Sequence, residues 1–207
     1  VRYDNGRTRY WEIGNENHGP WQTGYLIDTE KNRDGQPERI TGALYGEHFN
    51  VFADSMRKAA SEIGSDIKIG AQLMHFDAKN SWNPVEKDWN EGYFSNAGDA
   101  ADFYIVHDYF TPYNEDSSPE TILNSAEPVT YESMEWMNKT FDRFGAEKKP
   151  VAFTEWNIFA VGSGQYVSNI SGVHAVMTIG EMMKNGFGMA ARWNFANGWD
   201  NGNDHGM

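Results

Sequence analysis

Two glutamates stand out for their setting rather than their type. The run Arg9-Tyr10-Trp11-Glu12-Ile13-Gly14-Asn15-Glu16-Asn17 passes from aromatic and apolar residues into small and polar ones. Pro150-Val151-Ala152-Phe153-Thr154-Glu155-Trp156-Asn157 repeats that design late in the chain. Each reads as a strand whose C-terminal end delivers one carboxylate, Glu16 in the first and Glu155 in the second. Two carboxyl groups presented from strand ends are the minimum equipment for cleaving a glycosidic bond: one protonates the leaving oxygen, and the other attacks the sugar or activates water. A lone glutamate at a strand end is often a solvated charge and nothing more. The weight therefore rests on finding two in the same setting, flanked by asparagine or an aromatic ring.

The elements that must position them follow from the periodicity between the two runs. Thr41 is placed to cap a helix running to about Ile63, where Gly64 stops it. Tyr45, Phe49, Phe52, Met56, Ala59 and Ile63 recur along it at spacings of three and four. Ile67 to Leu73 reads as a strand that ends in Met74-His75-Phe76-Asp77, and a short helix is expected from Trp89 to Ala97. Phe103 to Val106 is the next strand, leading into His107-Asp108-Tyr109-Phe110. After a proline-containing loop, a helix is expected from about Thr130 to Phe144, with Met134, Met137, Phe141 and Phe144 on one face. Glu155's strand follows, then a helix from about Asn169 to Asn185 and a last strand from Met189 to Asn194.

Strands alternating with helices define an α/β chain with a parallel sheet. The polar and aromatic residues cluster just after each strand, never just before it. That is the habit of a (β/α)8 TIM barrel, whose chemistry sits at the C-terminal ends of its strands. A whole barrel has eight strands and about 250 residues. Residues 1–207 are therefore expected to be the C-terminal part of a single catalytic barrel, covering about strands 4 to 8, with the N-terminal strands missing.

Composition narrows the partners. The chain carries 8 Trp, 10 Tyr and 12 Phe, and Trp21, Trp82 and Trp199 lie in polar, Gly- or Asn-rich surroundings. Exposed flat rings there suit the apolar faces of sugars. A net charge of −13 excludes a nucleic-acid partner, which needs clustered Lys and Arg, and weighs against a strongly anionic substrate. No stretch of 18 apolar residues is present, so no membrane insertion is expected. The absence of cysteine rules out disulfides and zinc–thiolate sites. No His-x-x-x-His pair occurs, and Glu30, Asn32, Asp34 and Gly35 fail as a calcium loop because Thr41 stands where a bidentate Glu belongs. Asp200 to Asp204 reads as an exposed turn, and Gly162-Ser163-Gly164 lacks the lysine of a phosphate loop. Neither a metal nor a cofactor is expected.

Taken together, Trp11-Glu12-Ile13-Gly14-Asn15-Glu16 and Thr154-Glu155-Trp156 resemble the clan A glycoside hydrolases, retaining enzymes built on the (β/α)8 barrel. In that clan an Asn-Glu pair ends the fourth strand and a second Glu ends the seventh, which agrees with three further strands from Glu16 to Glu155. His107 and Tyr109 match a His and a Tyr at the end of the sixth strand, and Trp193 matches an aromatic residue on the eighth. Within the clan the chain is most similar to glycoside hydrolase family 86, the β-agarases and β-porphyranases. That likeness rests on Tyr10 to Asn17, on Asp28-Thr29 and Asp34-Gly35-Gln36-Pro37, and on His48-Phe49 to Ala59.

The resemblance implies an endo-acting retaining enzyme for β-galactosidic bonds in agarose or porphyran, with Glu16 as acid/base and Glu155 as nucleophile. Asn15 would bind the sugar hydroxyl next to the reacting carbon, and Tyr109 would orient Glu155. His107, Trp156, Trp193 and His75 would complete the substrate site, with Trp82, Trp89 and Trp199 as outer candidates. His48 and His174 read as packing or surface residues, and Arg192 as a side chain turned toward the helices in a buried ion pair. A polysaccharide substrate implies a secreted, cell-surface or periplasmic enzyme, the signal region lying outside this chain. Exo-enzymes for xylosides or arabinofuranosides share the Gly-Asn-Glu and Glu-Trp elements, and a sugar-binding barrel without activity is disfavoured by the presence of both carboxylates.

Overall fold

The computed structural model describes residues 3–31, 34–159 and 163–194. Asn32, Gly162, Trp199 and the Asp200 to Asp204 turn, all named above, lie outside those residues. Nine main elements alternate: β1 (Tyr10–Glu12), α1 (Gly42–Glu62), β2 (Lys68–Gln72), α2 (Trp89–Ala97), β3 (Phe103–Tyr109), α3 (Pro119–Phe144), β4 (Val151–Asn157), α4 (Asn169–Lys184) and β5 (Met189–Arg192). Short 3-10 turns occupy Ala78–Asn80 and Gly164–Val167.

The strand order is β1-β2-β3-β4-β5, so each strand lies beside its predecessor. The β1–β2, β2–β3 and β4–β5 pairs are parallel. Parallel neighbours need a crossover, and here every crossover is a helical segment advancing one strand in the same direction. A doubly wound sheet reverses its order at a switch point; this one does not, which is the winding of a (β/α)8 barrel. Five of the eight strands of such a barrel are present, as expected from the sequence. Among the described residues no helix is long and apolar enough to cross a membrane.

The chain forms two compact units, Val1–Ile105 with Asn138–Pro150, and Val106–Met137 with Val151–Met207. In the first, α1 starts where expected: the Thr41 hydroxyl accepts from the Leu44 N–H at 3.1 Å. Its buried face differs from the stripe of large apolar residues. Tyr45 and Phe49 are buried, but Phe52 is 57% exposed and Ile63 lies at the surface. The buried positions are Gly42, Leu44, Tyr45, Gly46, Phe49, Ala53 and Ala60, which include four small residues. They allow α2 to come close: a β-carbon at Gly42 would strike the Trp89 carbonyl, and one at Gly92 would strike the backbone of Gly42 and Ala43. Tyr45 stacks on Trp89 with centroids 4.9 Å apart, and Phe49 meets Tyr93 edge-on at 5.7 Å. Trp89 is therefore core, not an outer sugar contact.

In the second unit, Ile122, Ile158 and Tyr166 form a buried cluster with Ile170 packed against it. Phe110 joins Phe153, Trp156 and His174 at 5.9, 6.2 and 5.2 Å. Helix α3 begins at Pro119, well before Thr130, and runs through Pro128. An interior proline costs about 3 kcal/mol. Burial of Ile122, Ala126, Thr130, Ser133 and Met137 along one face offsets that cost. Hydroxyls also bond back along this stretch, Thr130 donating to the Ala126 carbonyl and Ser133 to that of Val129.

Candidate active site

Glu155 owes its placement to a defect in the sheet. Opposite β5, Phe153 pairs with Ala190 but Trp156 pairs with Arg192, so β4 carries one extra residue between them. Such a bulge breaks the strict alternation of side chains and re-aims them. Thr154 and Glu155, neighbours that a regular strand would send to opposite faces, both reach His107: Thr154 Oγ1 lies 3.0 Å from His107 Nε2, and Glu155 Oε2 lies 3.6 Å from His107 Nδ1. The Tyr109 hydroxyl donates to Glu155 Oε1 at 2.6 Å. His107 and Tyr109 are alternate residues of β3 and so share a face. Tyr109 is held in turn by Phe159, with ring centroids 4.8 Å apart.

The Glu155 carboxylate is therefore shielded, with its side chain 13% exposed, and met by a hydroxyl donor and an imidazole. A short hydrogen bond to an ionised acceptor of this kind is among the stronger ones in proteins. The arrangement favours a carboxylate that is charged, fixed in direction and still partly open, which are the needs of a nucleophile.

Glu16 lies in the first unit on a run of bends after β1. Gly14 has a φ of +81°, and the Asn17 side chain occupies the space a β-carbon would fill. Glu16 itself has a φ of +43°, a conformation that residues other than Gly and Asn seldom adopt. Its carboxylate accepts the Trp21 indole N–H at 2.5 Å. Trp21 is 57% exposed and Trp82 is 75% exposed, and the two rings lie 6.5 Å apart in a tilted pair. Both expectations of exposed tryptophans are met, and the sequence reading missed only their proximity to each other and to Glu16.

The remaining expected residues divide. Asn15 is exposed beside Glu16. Trp193 is 45% exposed, its N–H donating to the Trp156 carbonyl at 3.0 Å and its own carbonyl accepting from the Asn157 amide at 2.6 Å. The Trp193–Asn194 peptide is cis. Trp156 does not line a cleft: it is 1% exposed and packed on Phe110, because it follows Glu155 on the strand and turns to the other face. His75 is also buried, at 6%, with its ring edge-on to Phe76. His174 is buried against Phe110, and burial followed by the nearby Arg192 charge pulls its pKa down to about 4. Arg192 does turn toward a helix, but it donates to the Ser171 hydroxyl and the Asn157 side-chain oxygen where an ion pair was expected.

Sequence reasoning overlooked a buried polar group under Glu16: His18, Gln72, Asn83 and Glu86. Gln72, the one polar side chain among the buried residues of β2, is the available signal. Burial alone would raise the Glu86 pKa, but hydrogen bonds from His18, Ser81 and Asn83 outweigh it and hold the group below its ordinary value.

No protein-family model matches the chain, and no curated protein matches it. Among solved structures it is similar to the α-L-arabinofuranosidase from Thermotoga maritima in its arabinose complex. That likeness has a TM-score of 0.56 at 18% identity and covers 89% of this chain and 33% of that one. AbfB, a family 51 α-L-arabinofuranosidase from Bifidobacterium longum, gives 0.55 at 16%, covering 89% and 38%. The chain thus spans little more than a third of the structures it matches. At these identities the likeness is one of fold. It agrees with the partial (β/α)8 barrel and with the architecture that the clan A resemblance implied, and nothing in it singles out family 86.

Proposed function

We propose that this chain supplies strands four to eight of a retaining glycoside hydrolase, with Glu155 as nucleophile and Glu16 as acid/base. The observation that carries the reading is the Glu155 carboxylate on its bulged strand end, bonded by Tyr109 at 2.6 Å and faced by His107. In the first step Glu155 attacks the anomeric carbon while Glu16 gives its proton to the departing oxygen, leaving a glycosyl ester on Glu155. In the second step Glu16 takes a proton from water, whose oxygen displaces Glu155 and restores both groups. Net retention of configuration follows from two inversions.

For substrate, the family 86 resemblance points to β-galactosidic bonds in agarose or porphyran, cut within the chain. The exposed Trp21–Trp82 pair beside Glu16 supports this, because it offers apolar area to a further sugar on the leaving-group side. A second reading, an exo-acting arabinofuranosidase, draws on the structures the chain is similar to, both α-L-arabinofuranosidases. An enzyme of the first kind acts outside the cytoplasm, secreted, at the cell surface or in the periplasm, where its polysaccharide is.

The test is made in the complete barrel. Glu16→Ala should be inactive on natural linkages yet rescued by azide with an activated aryl β-galactoside, releasing the retained glycosyl azide. Viscosity loss of agarose by the unaltered enzyme, with no arabinose release from an aryl arabinofuranoside, supports the galactan reading; the reverse supports the second. Inverted product from the unaltered enzyme overturns both.

A further inference from the structure

The backbone from Ile13 to His18 has no regular structure and contains two left-handed residues, so something outside it must hold its course. Three side chains from separate parts of the first unit do so. The Tyr45 hydroxyl of α1 donates to the Ile13 carbonyl at 2.9 Å, the Gln72 side-chain oxygen of β2 accepts the Asn17 N–H at 3.2 Å, and the Asn83 amide donates to the His18 carbonyl at 2.6 Å. Glu16 lies between the first pin and the other two.

The chemistry of these groups fixes a direction. A backbone N–H can only donate, so the Gln72 oxygen must face Asn17 and its NH2 must face the other way, toward His18 Nε2 at 3.3 Å. His18 Nε2 is then an acceptor, and the ring proton sits on Nδ1, which lies 3.2 Å from Glu86 Oε1. Glu86 is held by the Asn83 amide at 3.3 Å and by the Ser81 hydroxyl, and Asn83 in turn accepts from the Tyr25 hydroxyl at 3.1 Å. His18, Gln72, Asn83 and Glu86 are all less than 9% exposed. A buried carboxylate–imidazole pair is a poor source of stability, since apolar groups of the same volume pack as well without desolvating a charge. Its use is to make one arrangement of donors and acceptors the only satisfied one.

We propose that Glu86, His18 and Gln72 form a one-way hydrogen-bond relay that positions Glu16 for proton transfer. None of the three touches the reacting atoms; they act through the Asn17 amide. The functional half of this inference rests on Glu16 being the acid/base. Breaking the relay at Gln72 releases the Asn17 N–H and lets Glu16 leave the line of the departing oxygen, while the attack by Glu155 is untouched.

Two measurements test the relay itself in this chain. Nitrogen-15 spectra of the His18 ring should show the neutral Nδ1–H tautomer; an Nε2–H form overturns the relay without any variant. In Gln72→Met, hydrogen exchange of the Asn17 amide should speed up by about tenfold or more relative to the amides of α1; unchanged protection overturns it. In the complete barrel, Gln72→Met should lose about 10- to 100-fold in kcat/KM, which reports ester formation alone, on aryl glycosides with poor leaving groups, yet stay within about twofold in kcat/KM on dinitrophenyl glycosides, which depart without a proton. Equal loss on both kinds of substrate reduces the relay to a structural role. Should Glu16→Ala also lack this leaving-group dependence, the assignment of Glu16 fails, whatever the exchange data say of the relay.

Discussion

Replacing Tyr109 by phenylalanine isolates one hydrogen bond at the heart of the site. The ring stays, so its packing on Phe159 at 4.8 Å is kept and the fold should be unaffected. What goes is the hydroxyl that donates to Glu155 Oε1 at 2.6 Å. Hydrogen bonds to charged groups contribute about 1.5–3 kcal/mol. The Glu155 side chain is only 13% exposed, so water replaces the lost donor poorly and the upper half of that range applies. At about 1.36 kcal/mol per factor of ten, the loss of a donor that orients the nucleophile should lower kcat/KM by roughly 45- to 160-fold. The acidic limb of the pH profile should also move to higher pH, because the donor favours the ionised form. The assay is steady-state hydrolysis of an aryl glycoside by the complete barrel across pH, with a thermal melt as control. A variant that melts normally and keeps kcat/KM within about twofold, with an unmoved acidic limb, would refute the argument that Tyr109 sustains Glu155.

Three further outcomes follow from the packing and the buried charges. Gly42→Ala places a methyl against the Trp89 carbonyl and should destabilise the first unit by about 1–3 kcal/mol, read as a lower urea midpoint at unchanged slope. Thr41→Ala removes the side-chain cap of α1 and should cost about 1 kcal/mol in the same experiment. His174 has a folded pKa of about 4, below its unfolded value of about 6.5, so the unfolded chain binds the proton more tightly. Its contribution is therefore whole above pH 6.5 and is lost as pH falls toward 4, a change of about 3 kcal/mol that His174→Phe should abolish in pH-dependent melts.

The order of elements was legible because it rests on contrasts that one segment carries by itself. Thr41 before an apolar stripe, Gly64 after it, and apolar runs that break into polar residues at Asn15, His107 and Glu155 all mark boundaries locally. What depends on shape between segments was not legible. The face of α1 is set by Gly42 and Gly46 against Trp89 and Tyr93, and glycine carries no hydrophobic signal. Helix α3 crosses Pro128 because of burial contributed by other elements, which local proline chemistry argues against. In the site, Tyr109 and Glu155 were paired through resemblance, whereas the bulge that turns Thr154 and Glu155 toward one histidine has no sequence mark. His18 and Glu86 each look like surface residues in isolation, and only the fold brings them within 3.2 Å. Trp156 turns away from Glu155 into the core, so adjacency in sequence at this strand end is not adjacency in space.

The most direct measurement is a mass spectrum of the complete barrel after reaction with a 2-fluoro glycosyl fluoride, a reagent that forms the glycosyl ester but hydrolyses slowly. The account predicts a single added sugar on the peptide that contains Glu155, absent in Glu155→Gln. An active enzyme that carries the label on another residue, or that turns over the reagent with no covalent adduct, would contradict it.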